Sequence, residues 1–128
     1  MVFFNDPLPC PDAPQRAVRL AIEMRDAVAR LALGWARRGH NLGCGIGMAQ
    51  GYATLGRIGF EDRVDYTAIG AVVNLAARLC AQAAHGQVLT SGRLVAAVDG
   101  LAEFEALGDL KLRGMSRAVP VINLIGLK

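Results

Sequence analysis

Aromatic residues are scarce in this chain, at 5% of 128 residues, and no apolar run approaches the length of about 18 residues that a membrane-spanning helix needs. The net charge is only +3 and like charges never cluster in a long run, so a basic nucleic-acid-binding stripe is not expected. The N terminus lacks a basic start and soon meets prolines, which does not match a signal peptide. The sequence therefore predicts a domain with no membrane segment and no nucleic-acid partner.

Cysteine is also rare, with three widely spaced residues at Cys10, Cys44 and Cys80. A zinc site would need paired Cys/His spacing, and His40 and His85 do not provide it. We therefore expect free, buried thiols. A reducing, cytoplasmic setting fits this cysteine usage best.

Hydrophobic residues make up 53% of the chain, which suits one compact domain over residues 1–128. A long helix is expected to begin at Asp12 as N-cap, with Gln15 completing a capping-box-like pair. It is expected to run to about Arg38 and to stop at Gly39. Its predicted apolar stripe consists of Ala17, Ala21, Met24, Val28, Leu31 and Trp35.

Three glycines alternate in a strand pattern at Gly43, Gly45 and Gly47. Because side chains alternate across a strand, one face of this strand carries none. That face could admit a ligand, or let a helix or a partner subunit approach closely, and the structural role is favoured. Together with Gly51 the pattern approximates a dinucleotide fingerprint, but no helix is expected to follow it, so a Rossmann fold is rejected.

The middle of the chain is predicted to contain a long hairpin over residues 41–50 and 52–59. A short strand through Tyr66 then leads into a second helix, from about Gly70 to Ala84. The predicted buried stripe of this helix consists of Val73, Ala77, Cys80 and Ala84.

The C-terminal part is expected to contain a strand at 87–90 and a short helix with Ser91 as N-cap and Gly100 past its end. Three strands finish the domain, at about 101–107, 109–113 and 118–126. The order of elements predicts an α+β fold, with a ferredoxin-like antiparallel sheet and helices packed on one face.

The segment over residues 61–78, EDRVDYTAIGAVVNLAAR, carries the most informative pair of side chains. Asn74 and Arg78 are four residues apart, so on a helix they project from one face toward one target. An amide beside a guanidinium suits a sugar oxygen and a phosphate better than it suits a packed core. These two residues are the leading candidates for a functional site.

This segment resembles the substrate-binding segment of class III nucleotidyl cyclases, the adenylyl and guanylyl cyclases, whose pattern is R-x-D-Y-T-x-I-G-D-x-V-N-x-A-x-R. The matching residues are Arg63, Asp65, Tyr66, Thr67, Ile69, Gly70, Val73, Asn74, Ala76 and Arg78. Residues 43–59, 86–90 and 107–124 are similar to neighbouring strands of the same family. The resemblance implies the class III cyclase fold over nearly the whole chain.

The resemblance also implies a role for the leading pair. Asn74 would orient the ribose of the nucleotide, and Arg78 would stabilise the charge that builds on the phosphates in the transition state. Fixed donors are needed there because the 3′-oxygen attacks the α-phosphorus while pyrophosphate departs.

Three further residues are implied to bind substrate. Thr67 occupies the family's base-specifying position, and Ile69 would contact the base through its backbone. A threonine at this position favours ATP over GTP, although a hydroxyl can donate or accept at either purine. Arg113 is the candidate for the basic residue that grips the triphosphate, ahead of Lys111 and Arg117.

The two metal-binding aspartates of the family, and its base-contacting lysine, have no match in this sequence, so no metal ligand is assigned here. Ligands for Mg²⁺ or Mn²⁺ are expected upstream. The chain then corresponds to a partial, N-terminally truncated cyclase domain that is expected to be inactive alone. It would supply the base-, ribose- and phosphate-binding half-site for ATP, and a homodimer or a second cyclase domain would complete it.

Ala71 and Val72 depart from the family pattern, which has an aspartate and a threonine there, and altered helix capping is expected. These departures leave open a second function, a non-catalytic cyclase-like module that senses a nucleotide or dimerises. A third, a ferredoxin-like interaction domain without a nucleotide role, would treat Thr67, Asn74 and Arg78 as coincidence.

Overall fold

The computed structural model describes residues 2, 4, 11–40, 43–51, 54–60, 63–112 and 117–127, with the backbone alone at 54–60 and 63–69. The sequence also predicts the tail of a strand at residues 1–4, of which the structure describes only Val2 and Phe4. The elements in chain order are α1 (Ala13–Arg37), β1 (Ile46–Gly47), β2 (Thr54–Phe60), β3 (Arg63–Ile69), α2 (Ala71–Gln82), β4 (Val88–Thr90), α3 (Gly92–Ala97), β5 (Ala102–Leu110) and β6 (Val119–Leu127).

The bounds of α1 match the prediction, but the capping box does not form. The Asp12 carboxylate accepts a hydrogen bond from Arg16 Nε at 2.9 Å and does not cap the helix. Gln15 is drawn away because its Nε2 donates to the carbonyl of Ala97 at 3.2 Å. The helix ends at Arg37, and Gly39 follows with φ +85°, a conformation that glycine adopts without strain.

Four strands form one sheet in the order β1-β4-β6-β5, and β2 pairs with β3 in a separate two-stranded sheet. The β1–β4 pair is parallel and the other pairs are antiparallel. The α+β class is therefore confirmed, with a mixed sheet. The hairpin predicted over 41–50 and 52–59 is wrong, because β1 pairs with the distant β4 and β2 turns back onto β3 instead.

Helices cover both faces of the four-stranded sheet, where the sequence predicted one. Val88 packs with Val18 and Ile22 of α1, whereas the next residue, Leu89, packs with Leu79 of α2. Adjacent residues of a strand point to opposite faces, so α1 and α2 lie on opposite sides of the sheet. Because β1 and β4 are parallel neighbours, the chain between them must cross one face of the sheet, and α2 forms part of that crossover.

The buried face of α1 is displaced from the predicted stripe. Val18, Ala21 and Ile22 are buried, whereas Met24 is 41% exposed and Leu31 is 55% exposed. A helix of 25 residues is about 37 Å long, and a four-stranded sheet is roughly half as wide. Only the N-terminal half of α1 therefore packs on the sheet.

The strands predicted at 101–107 and 109–113 form one strand, β5, which pairs with β6 along its whole length. Register shifts occur between Glu103 and Phe104 and between Ala106 and Gly108. Gly108 has φ +86°, which explains why the sequence suggested a break at this point.

Thr90, at the end of β4, is fully buried, and its hydroxyl oxygen has no hydrogen-bond partner among the described residues. A buried hydroxyl without a partner opposes folding. Thr90→Val keeps the branched shape, so we expect it to raise the free energy of unfolding by about 1 kcal/mol and Tm by about 3–5 °C. Thermal unfolding followed by circular dichroism measures this, and a lower Tm would show that the hydroxyl has a partner.

Candidate functional site

The helix with the leading pair starts abruptly from a strand. β3 ends at Ile69, Gly70 has φ +150°, and α2 begins at Ala71. The Gly70 carbonyl accepts hydrogen bonds from the amides of Val73 and Asn74, at 3.1 and 3.2 Å. No side chain caps this terminus and its first turn holds no acidic residue, in line with the altered capping expected from Ala71.

The buried face of α2 is centred on Leu79, which is 0% exposed. Leu75 and Ala83 pack with it, whereas the predicted stripe residues Ala77 and Cys80 are exposed. The predicted phase is wrong because the two leucines bury more apolar area against the sheet than alanine and cysteine can. The burial of Leu79 determines which residues of α2 point away from the sheet.

Asn74 and Arg78 lie on the outward side of α2. Asn74 is exposed and Arg78 is half-buried, and neither side chain hydrogen-bonds to another residue in the part of the chain that the structure describes. They are one helical turn apart, about 6 Å along the axis. The structure thus brings together an amide and a guanidinium on one open helix surface, both with hydrogen-bond donors available to a ligand.

The glycine face of the β1 segment lies against α2. A Cβ at Gly45 would meet Ala83, and a Cβ at Gly47 would meet the α2 backbone around Cys80. Of the two roles left open by the sequence, close approach of a helix is therefore the one the structure supports.

Thr67 and Ile69 lie in β3, with Thr67 opposite Gly56 and Ile69 opposite Thr54 in β2. Their side chains are outside the description. The chain therefore connects the Thr67 strand to the Asn74 helix through the single residue Gly70.

Arg113 lies outside the described residues. Leu112, which precedes it, is buried in the cluster that contains Leu79. The alternative basic residues Lys111 and Arg117 are exposed.

The described residues contain no group of three or more His, Cys, Asp or Glu side chains that could hold a metal ion. That ligands for Mg²⁺ or Mn²⁺ come from upstream of this chain stays a prediction. The expectation of buried thiols is wrong for two cysteines, because Cys44 is half-buried and Cys80 is exposed. Both are free and lie beside the Gly45 carbonyl.

A cavity of about 410 Å³ lies away from Asn74 and Arg78, at the C-terminal end of α1. Its lining includes Leu33, His40 and His85. The sequence did not single it out, since alanine and glycine make up four of its seven lining residues. Within the described ranges, no helix is both long and apolar enough to cross a membrane.

Comparisons with known proteins identify the family of this chain. Residues 1–123 match the family model of the adenylate and guanylate cyclase catalytic domain. An uncharacterized protein of Mycobacterium tuberculosis is 37% identical over 133 residues, covering 94% of this chain and 21% of that protein. Adenylate cyclase 1 of Rhizobium meliloti is 36% identical over 83 residues, covering 63% of this chain and 12% of that protein.

Solved structures give the same result. The adenylyl cyclase CyaB of P. aeruginosa superposes with a TM-score of 0.85 at 28% identity, covering 96% of this chain and 65% of that chain. The guanylyl cyclase Cya2 superposes with a TM-score of 0.82 at 27% identity, covering 98% and 64%. The chain therefore spans about two thirds of these cyclase structures and only 21% and 12% of the two curated relatives. With the match of the family model over nearly its whole length, the chain belongs to the adenylate and guanylate cyclase catalytic domain family.

Proposed function

We propose that this chain is the nucleotide-binding half-site of an adenylyl cyclase, which converts ATP to 3′,5′-cyclic AMP and pyrophosphate. The observation that carries the proposal is the placement of Asn74 and Arg78 on the open side of α2, one turn apart. Among the described residues, no hydrogen bond or salt bridge engages either side chain. An open amide and guanidinium instead suit a ligand that carries a sugar and phosphates.

In this reaction the ribose 3′-oxygen forms a bond to the α-phosphorus, and the bond from that phosphorus to the β-phosphate oxygen breaks. The 3′-hydroxyl gives its proton to solvent, pyrophosphate leaves with the former bridging oxygen, and negative charge builds on the phosphate oxygens. Arg78 would hold that charge through its guanidinium N–H groups, which need no reorganisation during the step. Asn74 would orient the ribose so that its 3′-oxygen faces the phosphorus.

A complete site would need a divalent cation and a second protein surface in addition to the described residues. The divalent cation, Mg²⁺ or Mn²⁺, would be held by residues other than those described, and it would neutralise charge on the phosphates. A second copy or a second cyclase domain would face the open side of α2. The chain alone is then expected to be inactive.

The choice of ATP rests on Thr67. Solved adenylyl and guanylyl cyclases are about equally similar to the chain, at 28% and 27% identity, so these two structures favour neither purine. The test is an assay of the full-length natural protein with ATP and with GTP in the presence of manganese. Cyclic AMP as the main product would support the proposal. Cyclic GMP as the main product would show that the substrate is GTP and not ATP.

Removing the Thr67 hydroxyl should weaken nucleotide binding. For Thr67→Val we expect the KM for ATP to rise about 3- to 10-fold, because one hydrogen bond to the base contributes about 0.5–1.5 kcal/mol. The KM values of wild type and variant are measured in the same assay, and thermal unfolding checks that the two proteins are equally stable. An unchanged KM would remove Thr67 from the base-binding residues.

The second candidate function is a non-catalytic cyclase-like module that binds a nucleotide or dimerises. The departure at Ala71, which leaves the first turn of α2 without an acidic residue, favours it. Equilibrium binding separates the two functions. A folded, dimeric full-length protein that binds ATP without forming cyclic AMP is the module, whereas turnover establishes the cyclase.

A further inference from the structure

Gly47 lies directly beneath the turn of α2 that contains Arg78. A Cβ built on Gly47 would contact the backbone nitrogen of Cys80 and the backbone oxygen of Ala76, and would come within 2.8 Å of the Cys80 Cα. Real Cβ atoms essentially never come closer than 3.0 Å to such atoms. Any side chain at this position would therefore force α2 and β1 apart.

The two backbone groups that Gly47 faces are partners of each other. Within α2, the Cys80 N–H donates to the carbonyl of Ala76, four residues earlier. Arg78 is the middle residue of that turn. Gly47 thus packs against the hydrogen bond that closes the turn around Arg78.

This contact cannot be relieved by a side-chain rotamer, because it joins backbone to backbone. The same close approach lets Leu79, which is 0% exposed, reach Leu89 and Val121 in the core. Gly45 provides a second, softer contact, where a Cβ would lie 2.7 Å from both the Cβ and the carbonyl oxygen of Ala83.

We infer that Gly47 is a positioning residue, which sets the height of α2 above β1 and thereby the place of Asn74 and Arg78. The catalytic consequence rests on the proposed function, whereas the displacement of α2 follows from the packing alone. A misplacement of about 1 Å at a reacting group can reduce turnover about 100-fold. Gly47 would then affect the site only through the position of α2, without contacting the nucleotide.

The test is Gly47→Ala in the full-length natural protein, with two measurements. We expect kcat for cyclic AMP formation to fall about 100-fold, with the KM for ATP changed less than about 3-fold, since a contact made only in the transition state is displaced. Amide hydrogen exchange of the Ala76–Cys80 turn is expected to accelerate at least about tenfold, because the added methyl pushes on its hydrogen bond.

The matched control is Gly126→Ala, also a strand glycine, where an added Cβ would meet nothing within 4 Å. It should change neither measurement. Leu94→Ala, in the core on the α1 side of the sheet, is the control for general destabilisation. If Leu94→Ala lowers kcat as much as Gly47→Ala does under conditions where both are folded, the positioning role is wrong.

If Gly47→Ala does not fold, Gly45→Ala takes its place. It should accelerate exchange around Ala83, and the added substitution Ala83→Gly should reverse part of this by removing one of the two contacts. Unchanged exchange in α2 overturns the inference. A wild-type protein without turnover would contradict the proposed function only, and the exchange rates would still decide whether Gly47 sets the height of α2.

Discussion

Arg78→Ala is expected to lower kcat about 100- to 1,000-fold, the usual cost of removing one fixed donor that stabilises charge in a transition state. The KM for ATP should change far less, because the contact strengthens only as charge builds on the phosphates. Steady-state kinetics of the full-length natural protein with ATP and manganese measure both constants.

Two variants make this result specific. Arg78→Lys keeps the positive charge but loses the planar fork of donors, so it should recover only part of the turnover. Arg30→Ala removes an exposed arginine of α1, on the opposite side of the sheet, and should leave turnover unchanged. Equal losses of binding and turnover in Arg78→Ala would assign Arg78 to ground-state binding and not to the transition state.

Leu79→Ala is expected to lower the free energy of unfolding by about 2–5 kcal/mol, the range observed when a fully buried leucine is truncated. Leu79 is 0% exposed and connects α2 to a core cluster with Leu89, Leu112 and Val121. Urea unfolding followed by circular dichroism measures the change as a lower midpoint concentration at an unchanged slope.

The control for this prediction is Leu33→Ala, since Leu33 is 67% exposed on α1. A substitution at such a position should change stability by no more than about 0.5 kcal/mol. A loss at Leu79 as small as that at Leu33 would mean that α2 does not pack on the sheet as described.

Local signals in the sequence were sufficient for most element bounds. The end of α1 before Gly39 and the start of α3 after Ser91 were predicted from residues within one turn of each boundary, and both are confirmed. The Asn74 and Arg78 pair needed only their four-residue spacing and a helix, which α2 provides. Their assignment to ribose and phosphate stays a prediction.

Pairings between distant segments could not be predicted in this way. β1 and β4 are about forty residues apart, and their parallel pairing depends on how α2 crosses between them. The missed pairing produced two errors, the misplaced hairpin and the assignment of both helices to one face. Neither Gly45 nor Gly47 signals by itself which element will lie against it.

The sequence by itself determined the α+β class, the family resemblance and the candidate pair Asn74 and Arg78, because these depend on residue types and spacing along one short segment. Only the tertiary structure decided which side of α2 is buried, that α1 and α2 occupy opposite faces, and that Gly47 lies against the turn around Arg78. These follow from packing between elements far apart in the chain, where the burial of Leu79 and the absence of a Cβ at Gly47 outweigh local periodicity.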